Sequence, residues 1–142
     1  MSNEKKYAIL LEEQTMKVID FPKHFEEDVK EKLEYFYEKL ECDTVDIVSA
    51  FEYEKEKVCG SEGKFCLIVD DEGLLKENTV NLYASLAYGF HLHKQYIMGK
   101  ALILQDRLTE DGKISCGLTK EDINTFRKAI FNIINKISVK SK

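Results

Sequence analysis

Apolar residues fall along this chain in two rhythms, one of period two and one of period near 3.6. Tyr7-Ala8-Ile9-Leu10-Leu11 is an unbroken apolar run of strand length, which reads as a buried strand. Glu12 to Thr15 is polar and fits a hairpin turn. Met16 to Phe21 alternates as a second strand, and Pro22, the only proline, ends it because it has no N–H to give to a ladder. Phe25, Val29, Leu33, Phe36 and Leu40 then step by four, four, three and four, the spacing of one helix face. Glu26, Lys30 and Glu34 fall on the opposite, solvated face, and Asp28 with Lys32 repeats the supportive i, i+4 charge spacing.

Thr44 to Phe51 alternates and is rich in β-branched residues, so a strand is expected there. A charged stretch, Glu52 to Lys57, and a turn at Gly60, Ser61 and Gly63 lead into Phe65-Cys66-Leu67-Ile68-Val69, a continuous run that fits a central strand. Asp70-Asp71-Glu72-Gly73 has the chemistry of a hairpin turn. Leu82 and Leu86 suggest a short helix, capped by Asn78 and stopped by Gly89. Tyr96 to Leu104 reads as a strand, with Gly99 a bulge or a point of close approach. Asp111-Gly112 is a loop tip. Thr119-Lys120-Glu121-Asp122 is an N-cap signature for a last helix that carries Ile123, Phe126, Ile130, Ile133, Ile134 and Ile137 on one side. The order predicts an α+β fold: a mainly antiparallel sheet of about five strands, with two longer helices and one short helix packed on one face.

Length and composition narrow this further. A chain of 142 residues fits a single domain over 1–142, long enough to need no disulfide or metal. The segment 136–142, with its three lysines, reads as a flexible tail. Cys42, Cys59, Cys66 and Cys116 form no C-x-x-C pair and no common zinc spacing, so free and mostly buried thiols are expected. Met1 to Lys6 is polar and charged, and no apolar run approaches the ~20 residues that span a bilayer; a cytoplasmic protein with no membrane partner is expected. The net charge of −5 weighs against nucleic-acid binding, which needs a positive face.

No motif for chemistry stands out. His91 and His93 share one side if their segment is extended, with Asp70 or Cys66 as a third metal ligand; two histidines facing water is the simpler reading. No nucleophile sits at a recognisable spacing from them. Asp70, Asp71 and Glu72 lack the order of a calcium loop. Walker and dinucleotide loops are absent, and Arg107 and Arg127 are the only arginines. The richest recognition stretch is polar and aromatic: Asn81, Tyr83, Tyr88, His91, His93 and Gln95, followed by Tyr96. Rings, amides and imidazoles give contact area and hydrogen bonds at low entropic cost. The reading carries no catalytic residue, no metal and no cofactor.

Five elements in order add a resemblance: the strand Phe65–Val69, the turn Asp71-Glu72-Gly73, Asn81-Leu82-Tyr83-Ala84-Ser85, the strand Ile97–Ile103, and Gly117-Leu118-Thr119-Lys120-Glu121-Asp122. Together they resemble a family of short phage and plasmid proteins, mostly of Gram-positive hosts, known as a domain of unknown function. The chain departs from that pattern in having no proline before Asn81 and a longer, more charged loop at Glu52–Ser61. The resemblance implies an accessory protein of a mobile element, of the kind that inhibits host defence by binding a host protein or a signalling nucleotide.

Three functional expectations follow. The first is a non-enzymatic protein that binds a host protein through the acidic helix Phe25–Leu40 or the segment Asn81–Tyr96. The second is a homo-oligomer that holds a small nucleotide-like ligand near Asn81, Tyr83, Tyr88, His91 and His93 in a shared pocket. The third is a hydrolase using His91 or His93 with Asp70.

Overall fold

In the computed structural model, residues 5–54, 58–73 and 79–140 are described, with 91, 93, 139 and 140 traced by backbone only. The chain opens with the hairpin β1 (Tyr7–Glu12) and β2 (Thr15–Asp20), paired from Tyr7–Asp20 to Glu12–Thr15. Pro22 turns the chain out of the sheet into a 3-10 turn, Lys23–Glu26. Helix α1 (Val29–Leu40) follows, capped by the Asp28 side chain, which accepts the Glu31 N–H at 3.0 Å. Next come β3 (Val45–Ser49) and β4 (Lys64–Asp70). After helix α2 (Leu82–Tyr88) and a single helical turn α3 (Phe90–His93), the chain returns as β5 (Ala101–Thr109), β6 (Gly112–Cys116) and the long helix α4 (Lys120–Lys140).

The six strands form one antiparallel sheet in the order β2-β1-β5-β4-β3. β6 lies on the β1 side of β5, pairing with its second half while β1 pairs with its first. Alternate residues of β1, β4 and β5 feed two separate cores. Ile9, Leu11, Leu67, Val69 and Ile103 face α2 and α4. Ala8, Leu10, Cys66, Ile68, Leu102 and Leu104 face α1. The α+β class is as expected, but helices cover both faces rather than one. That is why the inner strands are apolar at every position instead of alternating.

Other differences have local causes. A sixth strand appears because Gly112-Lys113-Ile114-Ser115-Cys116 lacks an apolar run yet pairs residue for residue with β5. β5 starts at Ala101 rather than Tyr96, since Gly99 has φ +80° and breaks the extended backbone. Asp70–Gly73 is a turn but no hairpin, because two helices intervene before β5. Val29 is 68% exposed, so the buried face of α1 is rotated to Lys32, Tyr35, Phe36 and Leu40. Glu26 and Lys32, expected in water, are buried. The helix α4 runs through 136–140, where a frayed tail was expected, and Lys136 meets Glu54 at 3.1 Å. Phe51 adopts φ +59°, rare for a bulky residue; its N–H bonds the Ala87 carbonyl at 2.8 Å and its ring packs against Phe65 and Phe126.

Candidate functional site

The segment expected to recognise a partner divides in two. Asn81 is completely buried. Its amide donates to the carbonyls of Leu11 and Gly99, each at 2.8 Å, and its side-chain oxygen caps α2 by accepting the Ala84 N–H at 3.1 Å. Asn81 is therefore a fastener between β1, the Gly99 turn and α2, and it takes the capping role expected of Asn78, which lies outside the described residues. Ser85 does similar work, accepting the Ile97 N–H at 2.9 Å. Tyr83 is half-buried and packs on the α2–α4 core. Asn81 and Ser85 are withdrawn from the candidate surface because their polar atoms are occupied inside the protein.

Tyr88 and Gln95 do come together, in an open cleft of about 480 Å³ at one end of the sheet. Val48, Val69, Ile97 and Met98 give it an apolar floor, and Tyr88 and Tyr96 give it aromatic walls. Phe90 stacks on Tyr96 with ring centroids 4.1 Å apart and planes 24° from parallel. Tyr96 itself is 47% exposed. Three acidic residues, Asp46, Asp70 and Asp71, and one lysine, Lys94, line the cleft. Two of them are held in place by backbone: Asp46 accepts the Ile47 N–H at 3.0 Å, and Asp70 accepts the Glu72 N–H at 2.9 Å.

The register explains why acid gathers here. Antiparallel pairing brings the end of β1, the start of β3, the end of β4 and the start of β5 to the same rim. Beside the cleft, and sharing Asp70, is a smaller hollow of about 200 Å³ lined by Glu12, Glu13 and Glu41. Lys100 sits there 3.3 Å from Glu41 and 4.0 Å from Glu12. A rim this rich in carboxylate attracts cations and repels phosphate.

His91 and His93 lie on the helical turn α3. Their segment is not extended, so the alternation that would have aimed both at one metal is absent, and residues two apart on a helix do not face each other. Their side chains lie outside the described residues. Cys66 faces α1, across the sheet from Tyr88, and burial pushes its thiol well up. Among the described residues no group of three His, Cys, Asp or Glu side chains is placed to hold a metal ion. No helix among them is long and apolar enough to cross a membrane.

Two other polar clusters are closed. Asp122, at the start of α4, accepts from the Ser61 N–H at 2.7 Å, the Ser61 hydroxyl at 2.9 Å, the Thr119 N–H at 2.9 Å and the Gln105 amide at 2.5 Å. Thr119 Oγ1 in turn accepts the Asp122 N–H at 3.1 Å, completing a capping box. Burial alone would raise this carboxyl, but the Thr119 and Ser61 donors outweigh it and hold the group below the usual carboxylate range. Lys32 donates to the carbonyls of Glu26 and Ser115 at 3.0 and 2.9 Å, and burial pulls its ammonium down.

The acidic helix α1 has a shallow groove floored by Phe25 and Tyr35 and edged by Glu31, Glu34 and Glu38. Its polar neighbours come from the chain itself: the His24 ring lies 3.0 Å from Glu31, and Lys39 Nζ lies 5.6 Å from the centre of the Tyr35 ring.

Sequence reasoning read Asp71 as a turn residue and passed over Asp46, Lys94 and the apolar floor. The pairing of β3 with β4, which sets Asp46 opposite Val69, brings Asp46 to the cleft. No family model, curated protein or solved structure matches the chain. The resemblance to mobile-element proteins therefore rests on its sequence elements alone.

Proposed function

We propose that this is a non-enzymatic binding protein that acts by protein–protein contact, with the cleft between β3, β4 and Tyr88–Met98 as its recognition surface and a basic segment of another protein as its partner. One observation carries the reading: an aromatic, apolar-floored cleft at the surface is lined by three acidic residues and one lysine. A floor of this kind gives contact area, and an acidic rim selects a positively charged partner and speeds its approach. The same rim disfavours a nucleotide, whose phosphates would face Asp46, Asp70 and Asp71. The closed clusters at Asp122 and Lys32 support the reading from the other side, since their polar atoms are engaged within the protein.

The role in a mobile element, and inhibition of a host defence protein, belong to the same proposal through the sequence resemblance alone. The test is capture on the immobilised protein from a host lysate, with elution by rising salt, beside a charge-reversed Asp46→Lys, Asp71→Lys variant. The expected result is a basic protein held by the native chain, released by salt and lost with the variant. A partner held equally by both proteins, or a nucleotide extracted from the purified chain, contradicts it.

A further inference from the structure

We infer that the cleft selects arginine over lysine in its partner, with the guanidinium lying flat on Tyr96 and its N–H groups directed to Asp46 and Asp71. This rests on the reading of the cleft as a site for a basic protein segment. Three features of the cleft lead to it. Tyr96 lines the cleft and is half exposed, while Phe90 backs its ring at 4.1 Å and fixes its plane. The aromatic pair already holds one cation, Lys94 Nζ, 6.0 Å from the centre of the Phe90 ring. Carboxylates line the same cleft as the ring, and that of Asp46 is held by the Ile47 N–H.

A guanidinium is planar and weakly hydrated. It can stack on a ring and, in the same pose, give in-plane hydrogen bonds to carboxylates at its edge. An ammonium is a compact, strongly hydrated point charge: it can meet the carboxylates and approach a ring, as Lys94 does at Phe90, but it has no plane to stack and gives up its water at greater cost. The acids alone would take either cation; ring and acids together favour one. A fixed ring also avoids the entropy of ordering a loose side chain on binding.

Two fluorescein-labelled nonapeptides of glycine and serine decide this, one with three central arginines and one with three central lysines. Binding is read by anisotropy at one fixed salt concentration, against the native chain, Tyr96→Phe and Tyr96→Leu. The expected result is about tenfold tighter binding of the arginine peptide to the native chain, the order that stacking a cation on a ring adds. Tyr96→Phe keeps that preference. Tyr96→Leu loses it, the two peptides then binding this variant with equal affinity, and equal denaturation midpoints show that the fold is intact. Equal affinity of the two peptides for the native chain overturns the arginine inference and leaves the acidic cleft standing. A preference that survives Tyr96→Leu overturns it too. Binding of neither peptide overturns both this inference and the reading beneath it.

Discussion

The start of α4 and the cleft beside β3 are built from the same residue types and treat them in opposite ways. At α4, Asp122 and Gln105 are buried, and Ser61, Thr119 and the 60–63 turn bind them from several sides. At the cleft, Asp46, Asp71, Lys94 and Tyr96 stand at the surface around an apolar floor. One arrangement uses its polar groups to hold elements together. The other fixes them in position and presents them to whatever arrives. A carboxylate beside an amide is thus no sign of function by itself; what matters is whether the fold has already supplied its partners.

The comparison can be broken by substitution, and the sealed end should show the largest effects. Asp122→Ala strands the Gln105 amide and the Ser61 and Thr119 N–H groups, and should cost about 3 kcal/mol in chemical denaturation. Asn81→Ala, which frees the Leu11 and Gly99 carbonyls and removes the α2 cap, should cost about 2–3 kcal/mol. Neither should alter the affinity of the folded protein for a basic peptide; an effect of Asn81→Ala on binding at unchanged stability would return Asn81 to the site.

Acid sharpens the contrast. The Asp122 carboxyl titrates lower in the folded chain than at its ordinary value of 3.8. Its stabilisation is therefore complete above that value and is lost as pH falls through the folded one. Denaturation midpoints should fall below about pH 4, and Asp122→Asn should flatten that slope. Lys94→Gly should stabilise by about 1 kcal/mol, since Lys94 holds φ +66° at the end of α3, a conformation that suits glycine. Smallest of all, Asp71→Asn and Tyr96→Leu should change stability by no more than about 0.5 kcal/mol, yet weaken binding of a basic partner. A loss of several kcal/mol in either would make the cleft another structural cluster.

The parts of this fold that were legible in the sequence are those where local pattern and burial agree. The run Tyr7–Leu11, the run Phe65–Val69 and the isoleucine stripe of α4 all fall where their spacing places them. The misreadings share a cause: distant partners decided them. Lys32 looks like one more surface charge until the Ser115 carbonyl, far along the chain, is found against it. β6 carries no apolar signal and exists because β5 offers an edge. Asn81 sits in a stretch of rings and amides, and nothing local reveals that Leu11 and Gly99 will close around it. In the cleft, Tyr88 and Gln95 were visible as recognition chemistry, whereas Asp46 entered through strand register alone. Sequence periodicity reports which face is buried; it does not report which distant residue shares that face.

The most direct measurement is a residue-by-residue map. Backbone amide NMR signals of the native protein are followed while a lysine- and arginine-containing basic peptide is added. The account predicts that shifts centre on Asp46, on Asp70 to Gly73, on Tyr88 and on Lys94 to Met98, and fade with salt. Shifts centred on Glu31, Glu34 and Glu38 of α1, with the cleft silent, would contradict it.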